Sequence, residues 1–310
     1  MLSPVVMFVY NRLPHAQKTL QSLAKNTLAK DTYLYIFSDA AKSEKDKKAV
    51  EDVRKYINSE EIRLFFRKVI VIEAKENKGL AKAIISGVSK VISKYNRVIV
   101  IEDDNLVAPD FLEFMNDCLD FYEKDSKVWS ISSYNIMDAK GIFPKDKYEK
   151  DIYMLGRTGS YSWASWKDRW EKVDWDVKDY KKKFLHNINN RKRFNFFGND
   201  RATMLDFQMA GLISSWAIRF DYAEFKNQAF TIYPSVSKSK NIGLDGSGVH
   251  NKKIANEDYK LEELNSHSYQ LQHDLYIDEE IRKAFISCFN SSKKARIKQY
   301  IKAYFYRIIR

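Results

Sequence analysis

Cysteine is nearly absent from this chain: Cys118 and Cys288 are the only two in 310 residues. One pair cannot form the disulfide framework of a small secreted domain, and a reducing compartment suits it better. Long apolar runs are absent too. No segment approaches the ~20 consecutive apolar residues that a membrane-spanning helix needs. The N-terminus, Met1-Leu2-Ser3-Pro4-Val5-Val6-Met7-Phe8-Val9-Tyr10, carries no basic leader ahead of its apolar stretch. It reads as a first strand and not as a signal peptide. No internal repeat is visible. These absences together predict a cytoplasmic protein.

What the chain does have is core material and positive charge. Hydrophobic residues make up 45% and aromatics 14%, which allows a sizeable core and argues against global disorder. Lys and Arg number 53 against 41 Asp and Glu, a net charge of +12. A basic surface suits nucleic acid, anionic lipid or phosphorylated substrates. The charge is spread along the chain, so a solvated lysine-rich surface accounts for most of it.

The first half alternates between two periods. Short apolar runs at residues 5–9, 33–37, 68–72, 97–101 and 128–132 read as strands. Between them, residues 15–25, 45–57, 80–93 and 109–122 carry helical spacing. Leu80, Ile84, Val88 and Val91, for example, fall on one face. Strands alternating with helices predict an α/β protein built on a doubly wound, mostly parallel sheet. The second half loses this rhythm. Trp163, Trp166, Trp170, Trp175 and Trp216 crowd into it among Asp, Lys and Arg. Residues 206–213 look helical, and residues 234–248, rich in Ser, Gly, Lys and Asn, read as a loop. Residues 293–310 form a basic, aromatic, amphipathic helix. Such a helix can lie on an anionic bilayer or simply pack.

The sharpest chemical signal is Arg97-Val98-Ile99-Val100-Ile101-Glu102-Asp103-Asp104-Asn105. A β-branched run of this kind reads as a strand buried on both faces. It ends in three consecutive acids, which repel one another and call for a counter-charge. A hard divalent cation, Mg²⁺ or Mn²⁺, is the usual solution, and it keeps room for phosphate oxygens. An acidic turn opening the next helix, with Asp110 in its first turn, would use the same residues for structure alone. Asn11-Arg12 follows the first strand and Asp39 the second, and in a parallel sheet both share the edge that carries Asp104. Arg can pair with phosphate, and a carboxylate can accept from a base N–H or a ribose hydroxyl. Capping of turns is the competing role for Asn11 and Asp39. Asn77-Lys78-Gly79-Leu80-Ala81-Lys82 opens a helix and offers Gly79 and Lys82 to a phosphate.

Residues 98–114, Val98-Ile99-Val100-Ile101-Glu102-Asp103-Asp104-Asn105 running on through Pro109-Asp110-Phe111, resemble the metal-site segment of the animal N-acetylglucosaminyltransferase I family. They also resemble bacterial sugar transferases grouped with glycosyltransferase family 2. The likeness continues through Val128-Trp129-Ser130-Ile131-Ser132-Ser133-Tyr134-Asn135 and covers about residues 4–250. It implies a GT-A fold: a nucleotide-sugar-binding α/β half over residues 1–135, a less regular acceptor-binding half of the same domain over 136–255, and a C-terminal helical extension over 256–310. It implies that Asp104 is the metal ligand, that Glu102 and Asp103 contact the donor, and that Arg12 and Asp39 belong to the donor pocket. It also points to a nucleotide-diphosphate sugar donor, a glycan or lipid-linked sugar acceptor and an inverting transfer. No nucleic-acid partner is expected, and the basic helix at the C-terminus leaves open either peripheral contact with the inner face of the membrane or ordinary packing.

The acceptor half departs from the resembled pattern. Gly156-Arg157 and residues 160–166 resemble a glycine- and tryptophan-containing turn whose aromatics would face sugars, although tryptophans also fill cores. Ser214-Ser215-Trp216 stands where the animal enzymes carry Asp-Asp-Trp, and serine at its ordinary pKa cannot serve as the base. Asp200 is the first substitute, Asp206 the second, and Asp174 and Asp176 follow. Trp216 and Arg219 are expected as wall and anchor of the site. In the loop after Pro234, His250 is a candidate to complete a metal shell, against a structural role for a lone histidine. A sugar nucleotidyltransferase is the rival enzyme, but the glycine-rich N-terminal loop it would need is missing from residues 5–12. A non-enzymatic basic protein binding nucleic acid or membrane is the other rival.

Overall fold

The computed structural model describes residues 2–243 and 264–289, together with Ser292, Lys294, Lys298 and Ile301. Eight strands form one sheet in the order β3-β2-β1-β4-β8-β6-β9-β7. They are β1 (Val5–Val9), β2 (Tyr33–Ser38), β3 (Lys68–Glu73), β4 (Arg97–Glu102), β6 (Val128–Ser132), β7 (Ile152–Leu155), β8 (Trp163–Trp166) and β9 (Phe230–Pro234). β5 (Asn105–Val107) and β10 (Ser239–Asn241) make a separate antiparallel ribbon. β3, β2, β1 and β4 are parallel neighbours. β8 runs antiparallel to both β4 and β6, and β7 antiparallel to β9, so six of the eight strands share one direction. The α/β, mostly parallel sheet expected from the alternating periods is what the chain forms.

Alternation along the inner strands makes two cores, since successive side chains point to opposite faces. Val5, Met7, Leu34, Ile36, Ile99 and Ile101 pack on one side with Leu20, Val53 and Phe114 from helices Leu13–Ala24, Lys47–Ile57 and Phe111–Phe121. Val6, Phe8, Tyr35, Val98 and Val100 pack on the other with Ile84 and Val88 of helix Leu80–Tyr95. A Cβ on Gly87 would sit 2.8 Å from the Phe8 ring, so this helix needs glycine to lie so close to β1. Each fully buried Val or Ile contributes roughly 1.5–3 kcal/mol of transfer free energy.

Several second-half readings are corrected. Residues 163–166 are not a turn but a central strand, buried throughout, with Trp163 opposite Val100 and Trp166 opposite Arg97. The helix expected at 206–213 lies at Arg201–Met209. Part of the expected 234–248 loop is strand β10. Residues 264–273 cross the outside of helix Phe111–Phe121. Lys238, 2% exposed, donates from Nζ to Asp110 Oδ2 at 2.5 Å and to the His267 carbonyl at 3.0 Å, while the His267 N–H reaches the same Asp110 oxygen at 2.9 Å. Among the described residues no helix is long and apolar enough to cross a membrane. Most of the basic segment 293–310 lies outside the described residues.

Candidate active site

The sheet register decides which loops meet. Phe8 pairs with Glu102 and Val9 with Ser38, so residues 10–12, Asp39 and residues 102–104 all leave the sheet at one edge. Such an edge, at the carboxyl ends of parallel strands, is where α/β sheets bind ligands.

Arg12 and the acid triplet meet there. Arg12 Nη2 donates to Asp103 Oδ1 and, at 2.7 Å, to Asp104 Oδ2. Asp103 and Asp104 are buried. Burial works to lower the Arg12 pKa, but the charges of Asp103 and Asp104 outweigh it and hold the guanidinium above its usual value. Burial raises Asp103, and Arg12 offsets this only in part. Glu102 is pushed up to about 8 by burial and then by the charges of Asp104 and Asp103. Even with Glu102 left out of the count, Asp103 and Asp104 against one guanidinium leave the cluster short of positive charge.

Asp104 is gripped from the opposite side as well. Its Oδ1 accepts from Asn105 Nδ2 at 2.9 Å and from Asn241 Nδ2 at 3.0 Å, and its carbonyl accepts the Ile242 N–H at 2.8 Å. Asn105 and Asn241 face each other across the β5–β10 ribbon. Gly243 follows directly. A Cβ there would lie 2.1 Å from Asp104 Oδ2 and 3.0 Å from Arg12 Nη1, so any other residue would have to push the cluster apart. Thr19 Oγ1 fixes the Asp103 carbonyl at 2.8 Å.

Among the described residues no group of three or more His, Cys, Asp or Glu side chains is arranged to hold a metal ion. The donor chemistry nevertheless fits a hard cation. Mg²⁺ needs only one or two carboxylates when water and phosphate complete its shell. Asn105 Oδ1 and Arg12 Nη1 are buried without a hydrogen-bond partner among the described residues, an oxygen and a nitrogen left over beside the acids. His250 lies outside the described residues.

The other donor-side candidates divide. Asp39 reaches the same edge, but its carboxylate binds the turn before helix Leu80–Tyr95. Oδ1 accepts the Lys78 N–H and Oδ2 the Gly79 N–H, each at 2.9 Å. Gly79 takes a φ of 70°, a conformation that favours glycine. Its N–H is therefore committed to Asp39 and not open to a phosphate, which corrects the expected role. Lys82 is exposed on the first turn of the helix. Asn11 donates to Asp46 Oδ1 at 3.2 Å, joining the first loop to the start of helix Lys47–Ile57.

The second half of the chain contributes another ion pair. Because β8 runs against β4, the segment ahead of Trp163 arrives at this same edge, where the Ser162 carbonyl accepts the Ser133 N–H at 3.0 Å. Further back in that segment, Arg157 holds Asp200 with both terminal nitrogens, at 2.7 and 2.9 Å. The guanidinium carbon lies 3.8 Å from the Phe289 ring centroid. A Cβ on Gly198, whose φ is 143°, would come within 2.3 Å of Arg157 Nη1. Burial acts to lower the Arg157 pKa, but Asp200 outweighs it. Of the four candidate bases Asp200 is the one half-buried in an ion pair at the head of a helix. Asp206 is fully buried against Arg191 and the Tyr180 hydroxyl, so it serves the fold. Asp174 caps the turn through the Asp176 and Lys178 N–H groups, and Asp176 is exposed.

Trp216 and Arg219 do not line the site. Trp216 is 3% exposed and stacks on Trp163 at 4.8 Å, inside a core cluster that includes Trp129, Trp170 and Phe220. Arg219 donates to the Ser215 and Trp175 carbonyls, both at 2.9 Å, tying the head of helix Trp216–Lys226 to the preceding turn. The tryptophans expected to face sugar are mostly the filling between sheet and helices. Asn105, Asn241 and Arg157 were not expected as partners of the key acids. Their chemistry was visible, but Arg157 and Asn241 lie 43 and 137 residues from the acids they hold, and Asn105, next to Asp104 in sequence, faces Asn241 only across a ribbon the sequence did not reveal.

The glycosyl transferase family 2 model matches residues 5–199, a span that includes Arg12, Asp39 and the acid triplet Glu102-Asp103-Asp104 but not Asn241 and Gly243. The chain belongs to glycosyl transferase family 2. Over 90 residues it is 28% identical to an alpha-1,3-mannosyl-glycoprotein 2-beta-N-acetylglucosaminyltransferase of Arabidopsis thaliana, covering 27% of this chain and 20% of that one. The chain thus spans about a fifth of the length of this curated relative. Among solved structures it is similar to S. aureus TarS residues 1–349 (13% identity, 77% of this chain and 59% of that chain, TM-score 0.45). It is also similar to a UDP-glucose pyrophosphorylase complexed with UDP-glucose (11% identity, 77% and 92%, TM-score 0.40). These two likenesses are too distant to add to the family assignment.

Proposed function

We propose that this family 2 chain transfers a sugar from a nucleotide-diphosphate sugar to a hydroxyl of a glycan or lipid-linked sugar, in the synthesis of a bacterial surface polysaccharide. The observation that carries the reading is the meeting of Arg12 with Asp103 and Asp104 at the edge where β1, β2 and β4 end. Carboxylates and a guanidinium in contact at such an edge suit a metal–diphosphate pair, which contains one partner for each.

Asp104 and Asp103 would hold Mg²⁺ or Mn²⁺, with Asn105 Oδ1 a further oxygen beside them. The ion supplies neutralisation of the charge that builds on the departing diphosphate. Arg12 supplies a second positive group, able to exchange carboxylate for phosphate oxygens with little change in bond type. Asn105 and Asn241 keep the Asp104 carboxylate oriented, and Gly243 keeps its approach narrow. Asp39 braces the loop beside the donor.

In the transfer, an acceptor hydroxyl oxygen bonds to the anomeric carbon. The bond from that carbon to the diphosphate oxygen breaks, and its electron pair leaves with the diphosphate. The hydroxyl proton goes to a carboxylate, for which Asp200 is the candidate, with Arg157 fixing its orientation. A single displacement of this kind inverts the anomeric centre.

Calorimetry with UDP and GDP, each with and without Mn²⁺, tests the proposal. Metal-dependent binding of one of them is expected. Absence of metal-dependent binding for any nucleoside diphosphate would falsify it.

A further inference from the structure

The acceptor half carries a second chemical feature, far along the chain from the donor-edge residues. Residues 178–193 contain seven cations, Lys178, Lys181, Lys182, Lys183, Arg191, Lys192 and Arg193, against one acid, Asp179. That acid is already matched by Lys226 at 3.2 Å and Lys183 at 3.9 Å. Arg191 is used internally by buried Asp206. Lys181, Lys182, Lys192 and Arg193 remain exposed and without an acidic partner among the described residues.

This is not a loose charged tail. Tyr180 and Phe184 on one side and Phe194 on the other pack into a core with Leu205, Ile218 and Tyr222. The Phe184 and Phe194 rings meet edge-on at 5.4 Å. The short turn Tyr180–Phe184 and the helix Ile188–Phe194 therefore present their cations from a fixed base. Between the two groups of cations stands Ile188, 67% exposed. The chemistry of an apolar side chain standing in water amid cations separates the candidate partners. A nucleic-acid phosphate backbone offers it nothing, whereas the boundary between headgroups and acyl chains does.

We propose that residues 178–193 form a membrane-docking face, with Lys181, Lys182, Lys192 and Arg193 on the phosphates of anionic lipids and Ile188 inserted beneath them. The face connects directly to the candidate base. Arg201 Nη1 donates to the Phe194 carbonyl at 2.7 Å and the Ala202 N–H to Asn195 Oδ1 at 2.8 Å, joining the end of the basic helix to the helix headed by Asp200. Docking there would bring a lipid-linked acceptor toward Asp200. This step rests on the transferase reading, while the docking itself does not.

The test is co-sedimentation of the full chain with phosphatidylglycerol/phosphatidylcholine vesicles and with pure phosphatidylcholine vesicles. Preference for the anionic vesicles is expected. Lys181→Gln/Lys182→Gln/Lys192→Gln should weaken that binding roughly a hundredfold, at about fivefold per surface cation. Ile188→Ser should weaken it several-fold and leave the salt dependence alone. All four positions are exposed, and an unchanged melting curve confirms that the variants fold. A parallel variant, Lys293→Gln/Lys294→Gln/Lys298→Gln, separates this face from the C-terminal segment. The proposal is overturned if the Lys181/Lys182/Lys192 variant keeps full affinity for the anionic vesicles, whether it is the C-terminal variant or binding to an RNA oligonucleotide titrated alongside that changes instead, or if neither vesicle is bound. Nucleotide-diphosphate binding, measured alongside without vesicles, reports on the transferase reading independently.

Discussion

Arg12 and Asp104, 92 residues apart, share a 2.7 Å hydrogen bond, and the same Arg12 nitrogen also serves Asp103. The guanidinium stands where a cation is needed, so removing it leaves two buried acids facing each other. Loss of one partner from a buried pair costs about 3–5 kcal/mol. Arg12→Ala should melt well below the parent in EDTA and recover more than the parent does on adding Mn²⁺. Equal Mn²⁺-induced shifts in the two proteins, by calorimetry or fluorescence melting, would count against a metal at Asp104.

Gly243 tests the narrowness of the site. Gly243→Ala must relieve a 2.1 Å contact with Asp104 Oδ2, and the residue that gives way is the proposed metal ligand. Nucleotide-diphosphate affinity with Mn²⁺ should drop at least tenfold, with the melting temperature within a few degrees of the parent. Titration calorimetry reads both affinity and stoichiometry, and undiminished affinity would show that the contact constrains nothing.

Asp200 and the tryptophan cluster make opposite predictions. Asp200→Asn should lower kcat by about 10²–10⁴, the range for loss of a general base, with donor affinity unchanged. Parental turnover would remove Asp200 from the chemistry. Trp216→Ala instead empties a core position and should cost about 3–5 kcal/mol in urea unfolding. A Trp216 variant that unfolds like the parent but binds acceptor poorly would restore the residue to the site.

A pH effect follows from Glu224. It is fully buried, receives Thr158 Oγ1 at 2.8 Å and Thr231 Oγ1 at 2.9 Å, and burial, then the charge of Asp221, holds its carboxyl well above the usual 4.5. The folded state therefore keeps a proton that the unfolded chain releases above 4.5. The stability from this group is fully present below that pH and is lost as pH rises through the folded value. Glu224→Gln should stay folded and flatten the decline of stability above pH 4.5. An unchanged slope in urea titrations across pH 4–9 would show that Glu224 is ionised in the fold.

The donor edge was legible because its signals are local. A buried β-branched run and the acids that end it are adjacent in sequence, and parallel alternation brings the ends of β1 and β2 beside β4. Gly79 was misread for a tertiary reason: the carboxylate that takes its N–H lies 40 residues earlier, on Asp39. Resemblance assigns Trp163 and Trp166 to a turn, and nothing in the sequence opposes it, since β8 is only four residues long and, buried throughout, shows no alternation. Trp216 was placed by resemblance to a motif whose acids this chain replaces with Ser214 and Ser215, and once those acids are gone the tryptophan's position answers to packing.

The antiparallel placement of β8 between β4 and β6 has a consequence for any attempt to divide the protein. A fragment ending at residue 135 would hold β4 and β6 but not β8 and β9, so β4 would become an exposed hydrophobic edge and β6 would lose both its neighbours. The first 135 residues and those that follow are therefore one cooperative folding unit. Neither can be exchanged as a module, and on the proposed reading a change of acceptor specificity has to arise within the loops while the sheet beneath them stays whole.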